Sequence, residues 1–137
     1  MERRRYQTVM VDDSTLTRAE KELIAVAVSA ANRCRYCLVH HAAMAIEAGA
    51  ERAAVETIAA DPRGARLAPR LRAMLDFALA ERPDQASQAD VDGLRANGFD
   101  DRQVLEIVLV AGLFRDYNFR VSILGLELEP WFAAARR

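Results

Sequence analysis

The segment from Asp100 to Gly125 constrains this chain more than any other. Asp100-Asp101-Arg102-Gln103 has the form of a helix N-cap followed, three residues on, by a side chain able to reach back to it. Behind that cap, ten of the eleven positions from Val104 to Phe114 are uncharged, Glu106 being the exception. The spacing predicts a long helix over 101–125 whose apolar surface runs nearly all the way round. A helix of that kind is central in its own domain or covered by another subunit. A chain of 137 residues has few other elements to enclose it, so self-association is expected. Glu106 has two readings, an outward-facing position in the girdle or a functional buried carboxylate.

The remaining segments are helical as well. Thr17-Arg18-Ala19-Glu20 is a capping box, and it opens a helix over about 18–32 with Leu23, Ile24, Ala27, Ala30 and Ala31 on its apolar side. A second helix begins near Cys34 and runs to Gly49, a third covers about 51–60, and Asp61-Pro62 stops it. The fourth, about 67–82, places Leu71, Met74, Leu75, Ala78 and Leu79 at helical spacing before Arg82-Pro83. Ser87 to Asp90 repeats the cap pattern for a short fifth helix ending near Asn97-Gly98, and Pro130-Trp131 begins a short tail. Val9-Met10-Val11 is too short to anchor a sheet. The expectation is one all-α, multihelical domain of about six helices spanning 1–137.

Composition narrows the class of function. Nineteen Lys and Arg stand against twenty Asp and Glu, a net charge of −1, which leaves no basic excess for nucleic acid. The longest strongly apolar run has eleven residues, whereas a membrane span takes about 20. Met1-Glu2-Arg3-Arg4-Arg5 is followed by no secretory h-region. A cytoplasmic location is therefore expected, with no membrane partner. There, two closely spaced cysteines point to catalysis or metal binding before a structural staple.

The one dense chemical segment is Asn32-Arg33-Cys34-Arg35-Tyr36-Cys37-Leu38-Val39-His40-His41. A Cys-x-x-Cys at a helix start puts the two sulfurs within disulfide reach and sets the first beside unsatisfied N–H groups that favour thiolate. At about 100° per residue, Cys37 falls about 60° and His41 about 20° from Cys34, on the same side. His41 thus lies on the face of both cysteines, while His40 is turned off it. Tyr36 reads as a packing aromatic. Buried structural cysteines, a metal site and a redox dithiol all remain as readings. Zinc would need four ligands, and Cys34, Cys37 and His41 supply three. On the first helix, Glu22 shares a stripe with Ser29 and Arg33. In an antiparallel hairpin it could face His41 and orient it. Periodicity alone reads Glu20-Lys21-Glu22 as a solvated charge run.

Glu22-x11-Cys34-x2-Cys37-x3-His41 resembles the active-site signature of the alkylhydroperoxidase D group in the carboxymuconolactone decarboxylase-like superfamily. The wording from Ser29 to His41 is similar to its peroxidase-related subgroup, with the match concentrated in 18–50. The resemblance implies an all-helical fold, a trimer or hexamer, and thiol-dependent reduction of hydroperoxides, an antioxidant activity of peroxiredoxin type, with no metal, haem or other cofactor. It implies that Cys37 attacks the peroxide, Cys34 resolves the sulfenic acid, and His41 and Glu22 relay the proton. It suggests a lipoyl-type or thioredoxin-like dithiol as reductant. Tyr36 stands where the best-known peroxidase of the group has a further histidine. The decarboxylase branch lacks the paired cysteines, which points away from that activity.

The physical cues disagree over the two thiols. The helix start and the flanking arginines favour thiolate at Cys34, whereas the i,i+4 relation to His41 favours Cys37. A base in contact with the thiol outweighs a helix terminus, so Cys37 is expected to attack and Cys34 to be the more exposed, resolving thiol. Two further readings stand beside the peroxidase: a protein disulfide reductase or isomerase in which Cys34 attacks, and a non-catalytic, redox-sensing helical oligomer.

Overall fold

The computed structural model describes residues 2–12 and 14–134, without the side chains of Pro83, Ala133 and Ala134. Among them are eight α-helices and no strand: α1 Glu2–Tyr6, α2 Arg18–Ala31, α3 Arg35–Glu47, α4 Arg52–Ala60, α5 Pro69–Ala78, α6 Gln88–Ala96, α7 Asp101–Leu124 and α8 Pro130–Ala134. The six helices expected from the sequence are α2 to α7, with α5 shorter at both ends than the 67–82 span. The additions are terminal. After α1 the chain continues as a π-helical turn, Gln7–Val11, whose Asp12 N–H donates to the Gln7 carbonyl at 2.8 Å. Met10 on that turn is buried in the core, and Tyr6 and Val9 pack against it, so a segment with no readable periodicity is anchored all the same.

The local chemistry that starts and stops the helices is the chemistry legible in the sequence. Thr17 and Glu20 close a reciprocal capping box at α2, and Asp100 and Gln103 close another at α7. At the ends of α3 and α7, Gly49 and Gly125 adopt φ of 98° and 66°, left-handed conformations in which a Cβ would be strained.

The central helix is α2, not α7. All nine residues from Lys21 to Ser29 are buried. Around them α3, α4, α5 and α7 close in, because Ala25, Val26, Ala27, Val28 and Ser29 are small enough to permit close approach on every side. α7 is therefore not enclosed all round within its own domain, the first of the two arrangements open to an apolar helix of this kind. It buries Ile107, Val110, Ala111, Leu113 and Phe114 on one face, and leaves Leu105, Val108 and Leu109 about half exposed on the other. No helix among the described residues is long and apolar enough to cross a membrane.

Candidate functional site

The loop between α2 and α3 sets the position of both thiols. Asn32 ends α2, and Arg33 takes up the left-handed conformation at φ 56°. That reversal lets the Cys34 N–H donate to the Ser29 carbonyl at 3.0 Å, and Cys34 becomes the N-cap residue of α3. Cys37 follows one turn later. The two free thiols have their sulfurs 2.7 Å apart. Contrary to expectation, Cys34 is not the more exposed: the two are 2% and 4% accessible. The reason is the short loop, which turns Cys34 inward against α2 rather than outward at the helix end. Burial, reinforced by the neighbouring Cys34 thiol, pushes the Cys37 thiol well above its ordinary range. A thiol so placed ionises only with help.

On the same side of α3, one turn beyond Cys37, stands His41. Its Nδ1 donates to Glu22 Oε2 at 2.6 Å. A carboxylate accepts, so Nδ1 carries the proton of this bond, and in the neutral imidazole the lone pair is then at Nε2. The edge-on ring of Phe114 in α7, 4.4 Å between centroids, packs against the imidazole. Glu22 is completely buried, so it is no part of a solvated charge run. Lys21 is buried with it, and desolvation holds its ammonium below the usual lysine range.

Glu22 survives in the core because of Arg18, one turn earlier on α2. The Arg18 Nε donates to Glu22 Oε1 at 2.8 Å, and Nη2 lies 2.7 Å from the same oxygen. Its remaining donors reach the Met10 carbonyl at 3.0 Å and the Tyr6 hydroxyl at 3.1 Å. The i,i+4 spacing of Arg18 and Glu22 was available in the sequence as a signal, but reading the charge run as solvated obscured it.

His40 takes no part in this group. Its Nδ1 donates to the Tyr36 carbonyl at 2.7 Å, and its Nε2 lies 3.1 Å from Glu129 Oε2. The Tyr36 hydroxyl donates to the other Glu129 oxygen at 3.2 Å, and the His40 ring lies between Tyr36 and Phe132, 4.3 and 4.4 Å between centroids. Burial and the bond to Glu129 raise the Tyr36 phenol above its ordinary range. Tyr36 thus packs and anchors the chain after α7. Glu129 lies 93 residues away in sequence and carries no local signal.

Glu106 belongs elsewhere. Its carboxylate accepts from the Ser14 hydroxyl, from the N–H groups of Thr15 and Leu16 at 3.2 and 3.0 Å, and from Arg102 at 3.2 Å. Partial burial would raise its pKa, but these donors bring it below the usual carboxylate range. It fastens the loop before α2 and lies neither outward nor at the thiols.

Among the described residues no group of three or more His, Cys, Asp or Glu side chains is disposed to hold a metal ion. An apolar groove of about 650 Å³ runs between α3 and α4, walled by Leu38, Val39, Ile46, Val55 and Phe132, and neither cysteine lines it.

The profile of the carboxymuconolactone decarboxylase family matches residues 3–80. Among solved structures, the alkylhydroperoxidase AhpD core of an uncharacterized peroxidase-related protein from Ralstonia eutropha JMP134 is 32% identical, with a TM-score of 0.88 over 96% of this chain and 70% of that one. An uncharacterized peroxidase-related protein from Silicibacter sp. TM1040 is 33% identical, with the same TM-score and coverage. A debrominase shares the fold at 20% identity, with a TM-score of 0.78 over 97% of this chain and 72% of that one. No curated protein matches the chain. The profile spans more than half of the sequence, and two solved relatives exceed 30% identity over nearly all of it. The chain therefore belongs to the carboxymuconolactone decarboxylase family, within its alkylhydroperoxidase D-like group.

Proposed function

We propose that this protein is a dithiol peroxidase that needs no bound cofactor. The observation that carries the reading is a Cys-x-x-Cys pair one turn from a histidine whose tautomer is held by a buried carboxylate. His41 Nε2 takes the Cys37 proton. The thiolate then attacks one oxygen of the hydroperoxide, the O–O bond breaks, and the proton returns through His41 to the departing alkoxide, giving an alcohol and a Cys37 sulfenic acid. Cys34 attacks that sulfur, releasing water and leaving a disulfide. An external dithiol, lipoyl-type or thioredoxin-like, reduces the disulfide by exchange and is itself oxidised. We propose the cytoplasm as its location and a homotrimer or homohexamer as its assembly.

The competing reading, a protein disulfide reductase, draws on one observation: Cys34 is the N-cap residue, beside the free N–H groups of α3. Steady-state turnover of several hydroperoxides with several dithiol donors separates the two. Saturable turnover abolished by Cys37→Ser supports the peroxidase. With one equivalent of peroxide, Cys34→Ser should leave a trappable sulfenic acid on Cys37. A sulfenic acid on Cys34 instead would move the assignment to the reductase, and oxidation without turnover would leave only a redox sensor.

A further inference from the structure

Glu22 is fully buried, yet it faces His41, a base that must stay free to accept a proton. The groups around it come from four elements. Arg18 lies on α2 itself, His41 on α3, and Tyr6 on α1, while α7 presents the neutral ring of Phe114, with Tyr117 packed against both Phe114 and Tyr6. Lys21 is buried too, but the charges that act on it are those of Glu106, Arg18 and Asp12. Among the described residues, Arg18 is thus the one permanent cation bonded to the carboxylate.

We infer that Arg18 is a positioning residue for the dithiol: it neutralises Glu22, so that His41 is free to take up and release the Cys37 proton, and it ties that function to the N-terminal segment through Met10 and Tyr6. With Arg18 present, the carboxylate and guanidinium cancel, and transfer of a proton from Cys37 to His41 changes no net charge in the buried site. Without it, the buried carboxylate must draw its counter-charge from a proton, held on His41 or on Glu22 itself. A pre-protonated His41 has no room for the thiol proton. Cys37 could then ionise only by releasing its proton to solvent and leaving a net negative charge in a desolvated site, which is strongly disfavoured. With Glu22 itself protonated, the transfer would leave an unscreened imidazolium instead. Either way the thiolate becomes scarcer at neutral pH. The two other Arg18 contacts give the segment Glu2–Val11 a role beyond packing, since Met10 and Tyr6 fix the guanidinium from the side away from Glu22.

The inference rests on the Glu22–His41–Cys37 relay proposed above, and its test reads that relay without peroxide. In a Cys34→Ser background, the rate of Cys37 alkylation by iodoacetamide is measured from pH 5 to 10, alongside the ¹⁵N signature of the His41 ring. Arg18→Met should slow alkylation at pH 7 by about tenfold, the equivalent of one pKa unit, and move the rise of the profile to higher pH. Arg18→Lys, which restores the charge, should recover most of the rate, and Tyr6→Phe should lose a smaller part. Once Glu22 is Gln, Arg18→Met should slow alkylation no further. An Arg18→Met effect that adds in full to that of Glu22→Gln, or that Arg18→Lys fails to rescue, would make Arg18 a merely structural residue. If Arg18→Met does not fold, Tyr6→Phe decides: a slower profile displaced to higher pH supports the inference, and a wild-type profile overturns it. Absence of peroxide turnover alongside the expected alkylation pattern would remove the peroxidase reading and leave this one standing.

Discussion

Glu106 and Glu22 are the two carboxylates on which the interior depends, and their surroundings assign them different work. Glu22 meets a guanidinium and an imidazole, a pair of partners suited to proton traffic. Glu106 meets hydroxyls, backbone N–H groups and one exposed arginine, a set suited to holding a loop. A hydrogen bond to a charged group contributes about 1.5–3 kcal/mol, so Glu106→Gln should cost about 2 kcal/mol in urea unfolding at pH 7. The pH dependence has a definite sign. Because folding depresses the Glu106 pKa, its contribution is present above the unfolded carboxylate range and is lost as pH falls through the folded value. The stability gap between wild type and Glu106→Gln should therefore close in acid below about pH 4. A gap that stays constant down to pH 3 would assign the loss to packing alone.

At the scale of elements, the α2–α3 loop and the segment after α7 govern the dithiol. Arg33 occupies the left-handed region at φ 56°, which costs a residue with a Cβ about 1–2 kcal/mol. Arg33→Gly should accordingly raise stability by up to about 1 kcal/mol and leave the sulfur separation intact, which a melting curve and disulfide formation would check. Asp100 caps the longest helix through the Gln103 N–H at 2.8 Å. Asp100→Ala should cost about 1 kcal/mol, with the loss seen as faster hydrogen exchange in the first turn of α7. Beyond Gly125, the chain is attached to α3 by Glu129 and Phe132. Glu129→Ala removes both contacts to α3, because the Tyr36 hydroxyl and the His40 ring then lose their partner there. Limited proteolysis should then cut after Gly125 more readily than in wild type, with cleavage elsewhere unchanged.

For the whole molecule, the surface that bears on assembly is the outer face of α7 and the segment that follows it. Phe119, Ile123 and Leu124 are 66%, 71% and 72% exposed, and they continue the row begun by Leu105, Val108 and Leu109. Leu126 and Trp131 add to it. Apolar exposure on that scale is unusual on a monomer, and it supports the proposed homotrimer or homohexamer. Light scattering at micromolar concentration should report three or six copies. Phe119→Arg with Ile123→Glu should yield a smaller species of unchanged helical content. A monodisperse wild-type monomer would contradict the assembly.

Local rules decided most of what was legible beforehand. Capping boxes at Thr17 and Asp100, proline stops, and apolar spacing depend on residues within four positions of each other, so the sequence alone determined the all-α class, the six main helices and the proximity of Cys34, Cys37 and His41. It also held the pattern linking Glu22 to that trio, though only through resemblance to a family. Tertiary structure decided the rest. It chose α2 over α7 as the central helix, since enclosure depends on the size of facing side chains and not on apolar content alone. It buried Cys34, which a helix start by itself would leave open. It brought Glu129 to Tyr36 and His40, and Met10 and Tyr6 to Arg18, contacts with no periodic signature. Charge placement in a core is a property of everything packed around it, and a linear pattern records only the neighbours along the chain.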